Sequence, residues 1–223
     1  MDLLVEGEDV AAVRAAAEAA LAQTRIDLCA QPWSERRKRL LVADMDSTII
    51  GCECIDELAD FAGVKDKVSE ITERAMRGEL DFEGALRERV AMLKGLPLGD
   101  LQRAYDERVR LNAGARTLVR TMSANGGRAV LVSGGFTFFT SRVAQAAGFA
   151  DNRANTLIET GEGLAGTVGE PILGREAKLA ALKEEAAGLG IALSQTLAVG
   201  DGANDLAMIE AAGLGVAYRA KPI

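Results

Sequence analysis

The chain has 223 residues, of which 48% are hydrophobic and 26% charged, and its formal net charge is −7. This length suits one substantial domain with an insertion, or two small domains. A negative charge without a long basic run argues against nucleic acid and anionic membranes as partners. The acidic first residues do not resemble a signal peptide, and no apolar stretch reaches membrane-spanning length.

The chain contains three cysteines, Cys29, Cys52 and Cys54, and no histidine. An odd number at these spacings does not fit a disulfide framework, so we expect reduced thiols and a cytoplasmic location. Without histidine, the pair formed by Cys52 and Cys54 lacks the remaining ligands of a zinc site. We therefore expect Cys52 and Cys54 to be small, buried or half-buried residues.

Residues 1–33 predict a strand, a helix and a second strand. Leu3 to Val5 and Arg25 to Ala30 have strand composition, and Glu8 to Gln23 places apolar residues on one helical face. Such a β-α-β segment is too small to fold alone. It resembles the remnant of an appended regulatory or dimerisation module, so the choice between a monomer and a homodimer stays open.

The apolar run Leu40–Ala43 ends in two carboxylates, Asp44 and Asp46, and two hydroxyls, Ser47 and Thr48. A buried parallel strand delivers polar groups to its carboxyl edge in this way, and open α/β sheets carry their chemistry there. Because side chains alternate along an extended segment, both carboxylates point to one side. Such a pair can divide the work, one as nucleophile or metal ligand and one as general acid or base. A loop with a helix N-cap is the alternative for this motif alone.

Residues 52–112 predict a helical block without strands, with apolar residues such as Phe82 and Leu86 at helical spacing. The block follows directly after the first core strand. We therefore expect residues 34–51 and 113–223 to form the catalytic core, and the inserted block to form a small helical cap over it.

Strand and helix patterns alternate through the rest of the chain. The predicted elements are a helix at 115–124, a strand at 129–132, a helix at 138–147, a hairpin at 155–159 and 165–168, a helix at 176–189, a strand at 196–199, a helix at 206–212 and a strand at 215–218. Apolar strands that end in polar turns and are joined by helices predict an α/β fold with a doubly wound parallel sheet. The turns would then converge at one edge.

These turns carry residue types that bind anions and metals. Ser133-Gly134-Gly135 predicts a tight turn whose backbone can approach an anion closely, although such a turn alone is weak evidence. Asp201 and Asp205 add two carboxylates to the same edge, and oxygen ligands without histidine point to Mg²⁺. Lys178, near the start of a helix, could reach a phosphate bound there.

Four motifs in this order resemble the signature of the haloacid dehalogenase-like phosphatases. They are Asp44-Met45-Asp46-Ser47-Thr48, Ser133-Gly134-Gly135-Phe136, Lys178, and Gly200-Asp201-Gly202-Ala203-Asn204-Asp205-Leu206. The likeness covers the chain from about Leu40 onward, and ordered motifs are more specific than any single one. It implies a Rossmann-like core and a two-step phosphoryl transfer through an aspartyl phosphate.

The resemblance also implies a role for each motif residue. Asp44 would attack phosphorus, and Asp46 would protonate the leaving oxygen and later activate water. The Asp44 carboxylate, the Asp46 backbone carbonyl and Asp201 would hold Mg²⁺, and Asp205 would orient them. Ser133, the Gly134 backbone and Lys178 would bind the phosphoryl oxygens, and Asn204 would support the site.

Within the family, the chain resembles the branch that hydrolyses L-phosphoserine. That branch has a glutamate soon after the first motif for the substrate ammonium and an arginine in a Leu-Arg-x-Arg-Val context for its carboxylate. Glu53 and Arg89 occupy these positions, and their charges suit those partners. Met76 and Phe82 would form an apolar wall when the cap closes. Without the resemblance, Glu53 and Arg89 would be ordinary surface charges.

Two features differ from the family pattern. The link from cap to core, residues 111–115, lacks the Thr-Pro-Gly that relatives often carry, so the sequence does not predict how stiff the link is. The chain also ends at Ile223, where relatives continue through another strand and helix.

Several functional alternatives stay open. A phosphotransferase acting from phosphoserine, or a phosphatase for another small phosphomonoester, would use the same residues. A receiver-like signalling module would also cluster acids and a lysine around a phosphorylated aspartate, but it needs neither Asp46 nor a cap. A catalytically silent binding fragment is the remaining alternative.

Overall fold

The structure is a computed structural model that describes residues 3–6, 9–76, 79–161 and 163–220. The chain divides into two compact units, Met1–Arg37 and Lys38–Ile223. None of the helices in the described ranges is both long and apolar enough to cross a lipid bilayer. The predicted site residues all belong to the second unit.

In its described residues, the first unit contains one α-helix, α1 (Val10–Leu21), and a short 3₁₀ turn at Trp33–Glu35. Helix α1 begins after Asp9, whose carboxylate accepts hydrogen bonds from two amides of the first turn. The strands predicted at Leu3 to Val5 and Arg25 to Ala30 are wrong, since these described residues join no ladder. An extended segment becomes a strand only when its backbone pairs with a neighbour.

The second unit is built on a parallel β-sheet. The strands of its described residues are β1 (Leu40–Ala43), β2 (Arg128–Phe136), β3 (Asp151–Asn155), β4 (Leu157–Thr160), β5 (Gly163–Val168), β6 (Thr196–Gly200) and β7 (Leu214–Ala217). Five of them form one sheet in the order β3-β2-β1-β6-β7, and every neighbouring pair is parallel. Strands β4 and β5 form a separate antiparallel hairpin.

Helices cover both faces of this sheet. The α-helices of the described residues in the second unit are α2 (Cys54–Phe61), α3 (Lys65–Met76), α4 (Phe82–Met92), α5 (Leu98–Arg108), α6 (Ala115–Ala124), α7 (Thr137–Ala147), α8 (Arg175–Gly188) and α9 (Leu206–Ala211). Helices α6 and α7 pack on one face, and α8 and α9 pack on the other. This is the predicted doubly wound α/β fold, and α2 to α5 form the predicted helical insertion between β1 and β2.

Side chains of the central strands alternate between two apolar cores. In β1, Leu41 and Ala43 face the core shared with α6 and α7, whereas Leu40 and Val42 face the core shared with α8 and α9. Each of these residues is fully buried. Because both faces of the sheet are covered, the strand is apolar at consecutive positions rather than at alternate ones.

The register of the central strands aligns their carboxyl ends. Ala43 of β1 pairs with Leu131 of β2 and with Val199 of β6. The residues that follow these positions therefore emerge at one edge of the sheet, which brings Asp44 close to Ser133 and Asp201. This edge is where open α/β sheets bind ligands.

The structure differs from the prediction at two strands. The edge strand β3 is absent from the predicted elements, because its half-exposed, polar sequence Asp151–Asn155 lacks the apolar run of a central strand. Residues 133–136 form an irregular end of β2 rather than a tight turn, and the pairing with β3 shifts register between Val132 and Phe136.

The two segments that join the cap to the core are tied to each other. Ile50 and Leu111 form an antiparallel bridge. The side-chain amide of Asn112 donates hydrogen bonds to the carbonyls of Thr48 at 2.8 Å and Ile50 at 3.0 Å. Asn112 therefore stiffens this link without proline. The cap bounds of residues 52–112 remain a proposal, since the two compact units keep cap and core together.

Helix α8 is held on the sheet by a partly buried ion-pair network. Glu185 accepts hydrogen bonds from Arg128 of β2 at 2.7 Å and from Arg153 of β3 at 2.6 Å. Burial alone would raise the pKa of Glu185, but its hydrogen bonds and attraction to both guanidinium groups outweigh this and hold the pKa below its ordinary value. The ionised carboxylate therefore stabilises the folded state.

We expect Glu185→Gln to lower the free energy of unfolding by about 1–2 kcal/mol at pH 7, because charge-assisted bonds are lost. The matched control is Glu184→Gln, whose side chain is 64% exposed and contacts only Arg153 in the network, and we expect a loss below about 0.5 kcal/mol. Since the folded pKa is depressed, the contribution is present above the unfolded pKa of about 4.3 and is lost as pH falls through the folded value. Urea unfolding across this range measures it, and a pH-independent difference would contradict the assignment.

Candidate active site

The first part of the site is the buried end of β1. Asp44 follows this strand, and its amide donates a hydrogen bond to the carbonyl of Val199 in β6 at 2.9 Å. Only 5% of the Asp44 surface is exposed. The backbone of the neighbouring strand therefore fixes where the Asp44 carboxylate lies at the sheet edge.

Asp46 lies in the tight turn after Asp44 and is held from two sides. The amide of Cys54, at the start of α2, donates a hydrogen bond to Asp46 Oδ1 at 3.1 Å. On the other side, a Cβ added to Gly135 would stand 2.7 Å from Asp46 Oδ2. This close approach requires glycine. The Asp46 carboxylate is therefore fixed between a cap helix and the end of β2.

Carboxylates from separate loops meet beside Asp44. One oxygen from each of Asp44, Asp201 and Asp205 lies within 4.8 Å of the others. The hydroxyl of Thr48 donates a hydrogen bond to Asp201 Oδ1 at 3.1 Å. Oxygen donors without nitrogen or sulfur are the ligands that Mg²⁺ prefers, so this group fits a magnesium ion.

Lys178 offsets part of this negative charge. Its ammonium lies 2.8 Å from Asp44 Oδ1 and 2.6 Å from Asp205 Oδ1, and the residue is only 2% exposed. The other oxygen of Asp205 accepts hydrogen bonds from the amides of Asp201 at 3.2 Å and Gly202 at 3.1 Å. Because the protein engages both oxygens of Asp205, this residue is better suited to orient its neighbours than to bind a metal.

Burial sets the protonation behaviour of these groups. It raises the pKa of Asp44 to about 7, and attraction to Lys178 opposes this only in part. Burial, followed by repulsion from Glu53 and Asp44, raises the pKa of Asp46 to about 7. Burial alone would lower the pKa of Lys178, but Asp44 and Asp205 raise it above its ordinary value. The site thus combines a charged ammonium with a carboxyl group able to exchange a proton near neutral pH.

A cavity of about 180 Å³ lies between the core and the cap. The core contributes Asp44, Asp46, Ser133, Gly134, Gly135, Phe136 and Asn204. The cap contributes Glu53, Ile55, Phe82, Leu86 and Arg89. Acids and backbone donors thus line the core side, whereas the cap side combines one charge of each sign with apolar groups.

Glu53 and Arg89 are the charged cap residues of this cavity. The Ser47 hydroxyl donates a hydrogen bond to Glu53 Oε1 at 2.5 Å. Arg89 Nε donates to the Ala85 carbonyl at 3.2 Å. Burial lowers the pKa of Arg89, against attraction from Asp56 and Glu53, but a guanidinium stays charged. No ion pair involves Arg89 among the described residues, so its guanidinium can receive an anionic ligand.

Phe82, the first residue of α4, packs on two glycines of the core. A Cβ on Gly134 would stand 3.0 Å from Phe82 Cζ, and one on Gly174 would stand 3.3 Å from Phe82 Cδ1. The ring therefore lies directly against backbone and covers one side of the cavity. Met76, the other predicted wall residue, is the last residue of α3, and its side chain lies outside the described part of the structure.

Apart from Met76, the structure brings the predicted site residues together. Those that line the cavity are Asp44, Asp46, Glu53, Phe82, Arg89, Ser133, Gly134 and Asn204. Lys178, Asp201 and Asp205 adjoin Asp44 in the ion cluster. The Ser133 hydroxyl is buried and accepts a hydrogen bond from the Gly135 amide at 2.9 Å.

Three residues that shape the site are absent from the predicted site residues, although Thr48 and Gly135 belong to the predicted motifs. Thr48 holds Asp201, and Gly135 admits Asp46. Asn155, the last residue of β3, donates a hydrogen bond to the Gly134 carbonyl at 2.9 Å. A polar residue at a strand end is the signal that identified Asp44, but it could not identify Asn155 because β3 was not predicted.

Comparison with known proteins places this geometry in a family. A family model described as haloacid dehalogenase-like hydrolase matches residues 41–210. A phosphoserine phosphatase of Streptococcus thermophilus is 50% identical over 186 residues, which cover 83% of this chain and 86% of the relative. A phosphoserine phosphatase of Archaeoglobus fulgidus is 46% identical over 218 residues, which cover 96% of this chain but only 63% of the relative.

A solved structure also resembles this chain over most of its length. It is described as a phospho-aspartyl intermediate analogue of phosphoserine phosphatase, with a TM-score of 0.77 and 40% sequence identity. The match covers 84% of this chain and 89% of that one. The family model and these matches agree, and the chain belongs to the haloacid dehalogenase-like hydrolase family.

Proposed function

We propose that the chain catalyses the Mg²⁺-dependent hydrolysis of O-phospho-L-serine to L-serine and phosphate, the last step of serine biosynthesis. The observation that carries this proposal is one cavity with Asp44 and Asp46 on its core side and Glu53 and Arg89 on its cap side. Relatives at 50% and 46% identity that are named phosphoserine phosphatases support the substrate.

In the first half-reaction, a carboxylate oxygen of Asp44 attacks phosphorus, and the bond from phosphorus to the serine oxygen breaks. Protonated Asp46 gives its proton to the departing oxygen, so L-serine leaves as a neutral alcohol. The pKa of Asp46, raised to about 7, keeps the proton available near neutral pH, and the ammonium of Lys178 at 2.8 Å from Asp44 favours the ionised form of Asp44 as the nucleophile. The protein is left with an aspartyl phosphate on Asp44.

In the second half-reaction, a water oxygen attacks the phosphorus of the aspartyl phosphate. Ionised Asp46 takes the proton of that water as the new bond forms. The bond from phosphorus to Asp44 then breaks, phosphate leaves, and the Asp44 carboxylate is restored. Asp46 again carries a proton, so the cycle closes without another reactant.

Fixed positive charge and backbone donors would stabilise the phosphoryl group. Lys178 lies 2.8 Å from Asp44 and is held in place by Asp205. Ser133, Gly134 and Asn204 line the cavity beside Asp44 and can donate hydrogen bonds to phosphoryl oxygens. A preorganised donor of this kind contributes roughly 10²–10³-fold to the rate.

Mg²⁺ would be held by the Asp44 carboxylate, the Asp46 backbone carbonyl and the Asp201 carboxylate. The approach of one oxygen each of Asp44 and Asp201 to within 4.8 Å supports these two ligands. Asp205 would orient the set, since its own oxygens bind Lys178 and backbone amides. When bound, Mg²⁺ supplies positive charge that offsets the charge of the carboxylates and of the phosphoryl group.

The cap would select the amino acid part of the substrate. The Glu53 carboxylate suits an ammonium group, and the Arg89 guanidinium suits a carboxylate. Phe82 and Met76 would exclude water during the reaction, together with Ile55 and Leu86. The packing of Phe82 on Gly134 supports this role, because it closes the cavity over the phosphoryl-binding backbone.

Membership of the family removes the receiver-like alternative. No contact of the described residues favours phosphoryl transfer to another alcohol over hydrolysis. The three unpaired cysteines fit the cytoplasmic location that we propose. The choice between a monomer and a homodimer stays open.

Replacing Asp46 by Asn removes the proton donor but keeps the oxygen that the Cys54 amide binds. We expect kcat for phosphoserine to fall roughly 10²–10⁴-fold, because both half-reactions lose their proton transfer. With p-nitrophenyl phosphate, whose leaving group needs no proton, we expect a burst of one nitrophenol per active site and then slow turnover. Unchanged steady-state phosphate release would contradict the role of Asp46.

Replacing Glu53 or Arg89 by Ala should lower kcat/KM for phosphoserine about 10–100-fold, which corresponds to one charge-assisted contact. We expect a much smaller loss for phosphomonoesters without ammonium and carboxylate groups. Arg87→Ala is the matched control, since this arginine on the same helix is half exposed and pairs with Glu170 at 2.6 Å. Phosphate release is measured on a substrate panel, and equal losses on every substrate would refute the assignment.

Removal of divalent ions with a chelator should abolish activity, and added Mg²⁺ should restore it. We expect Asp201→Asn to raise the Mg²⁺ concentration for half-maximal activity at least about 10-fold, because a charged oxygen ligand is lost. Asp106→Asn, at an exposed acid of α5, should leave this concentration unchanged. Full activity of the chelated protein would exclude the metal requirement.

A further inference from the structure

The hairpin β4–β5 is bonded to the cap as well as to the core. The Gly95 amide, in the link between α4 and α5, donates to the Leu164 carbonyl at 2.8 Å, and the Leu164 amide donates to the Leu96 carbonyl at 2.9 Å. Pro97 and Gly163 form an antiparallel bridge. Residues 95–97 of the cap thus pair with the edge of β5. The hairpin therefore supports the cap at a second place, in addition to the bonds of Asn112 between cap and core.

The base of this hairpin is fastened by one buried side chain. Asn155 precedes β4, Leu173 follows β5, and Asn155 is 2% exposed. The Leu173 amide donates to Asn155 Oδ1 at 2.7 Å, and Asn155 Nδ2 donates to the Leu173 carbonyl at 3.2 Å. Only the side-chain oxygen can accept from an amide N–H, so these bonds fix which way the Asn155 amide points.

The same amide nitrogen reaches the phosphoryl-binding segment. Asn155 Nδ2 donates to the Gly134 carbonyl at 2.9 Å. Gly134 and Gly174, the residue after Leu173, are the two glycines on which the Phe82 ring packs. Asn155 therefore connects the base of the hairpin and the Gly134 backbone, next to the two glycines that contact Phe82 of the cap.

We propose that Asn155 is a positioning residue that holds the Gly134 backbone in the geometry that binds the phosphoryl group and keeps it in register with the cap. Asn155 lines no part of the cavity and acts only through its neighbours. This inference rests on the proposed phosphatase function. If the bond to Gly134 is lost, the amide donor and the Phe82 seat can shift together, and a misplacement of about 1 Å can cost roughly 10²-fold in rate.

Asn155→Ala tests the proposal, with Asn155→Asp as a variant of equal size. Aspartate keeps an oxygen for the Leu173 amide, but its carboxylate cannot donate to the Gly134 carbonyl. The matched control is Asn152→Ala on the same strand, where the side chain accepts a hydrogen bond from Thr140 of α7 at 2.7 Å. This control removes a comparable interaction on β3 without touching the Gly134 segment.

At equal concentrations of folded protein, fixed from urea unfolding, we expect kcat for phosphoserine to fall about 10–100-fold in both Asn155 variants and less than about 3-fold in Asn152→Ala. The inhibition constant of inorganic phosphate should rise with the loss of kcat. A loss of kcat in the Asn155 variants no greater than in the control would overturn the proposal, and so would parent-like kcat in Asn155→Asp.

Amide hydrogen exchange gives a readout that does not need activity. In the Asn155 variants, we expect faster exchange in peptides covering residues 133–136 and residues 93–97, with β6 unchanged. Asn152→Ala should leave those peptides at the parent rate. An amide exchange rate of the 133–136 peptide equal to that of the parent would contradict the inference. If the parent released no phosphate from phosphoserine, the proposed function would fail, whereas this exchange pattern would still decide whether Asn155 holds the segment.

Discussion

The structure depends on one buried ammonium between two carboxylates. Lys178 contacts Asp44 and Asp205, and without it the acids at this edge of the sheet would repel one another in a water-poor environment. Asp205 completes the arrangement, because its second oxygen accepts two backbone hydrogen bonds from the loop that carries Asp201. The Lys178 side chain, together with Asp205, therefore fixes the end of β1, the start of α8 and the loop after β6 with respect to one another.

Under the proposed function, the fold separates phosphoryl chemistry from the recognition of the rest of the substrate. The core positions its groups through strand ends whose register is fixed by two buried faces, and Lys178 stands on a helix that Glu185 holds two turns further on. The cap presents Glu53 from the residue before α2 and Arg89 from α4, and both line the cavity. Under the proposed function, the same phosphoryl chemistry of the core serves whichever alcohol the cap admits.

The sequence predicted what depends on burial and could not predict what depends on pairing. Strands β1 and β6 are continuous apolar runs because both of their faces are covered, so their ends also identified Asp44 and Asp201. Strand β3 is polar and lies at an edge, and its parallel pairing to β2 leaves no periodic signal. Missing β3 meant missing Asn155. The two strands predicted in residues 1–33 are wrong for the opposite reason. Their composition is typical of strands, but composition alone does not supply a neighbouring strand to pair with.

The chain between Asn155 and Lys178 connects the cap to two parts of the proposed phosphoryl site that belong to separate sequence motifs. It leaves the sheet at Asn155, forms the hairpin that bonds to the cap link, returns at Leu173 and enters the helix that carries Lys178. Any movement of the cap that carries the hairpin must therefore act on both ends of this segment. One end contacts the Gly134 backbone and the other leads to the ammonium beside Asp44. Because both ends adjoin the proposed phosphoryl site, the hydrogen bonds between the cap link and the hairpin add a second connection between cap position and phosphoryl binding, beside the chain that runs from Asp46 to the start of α2.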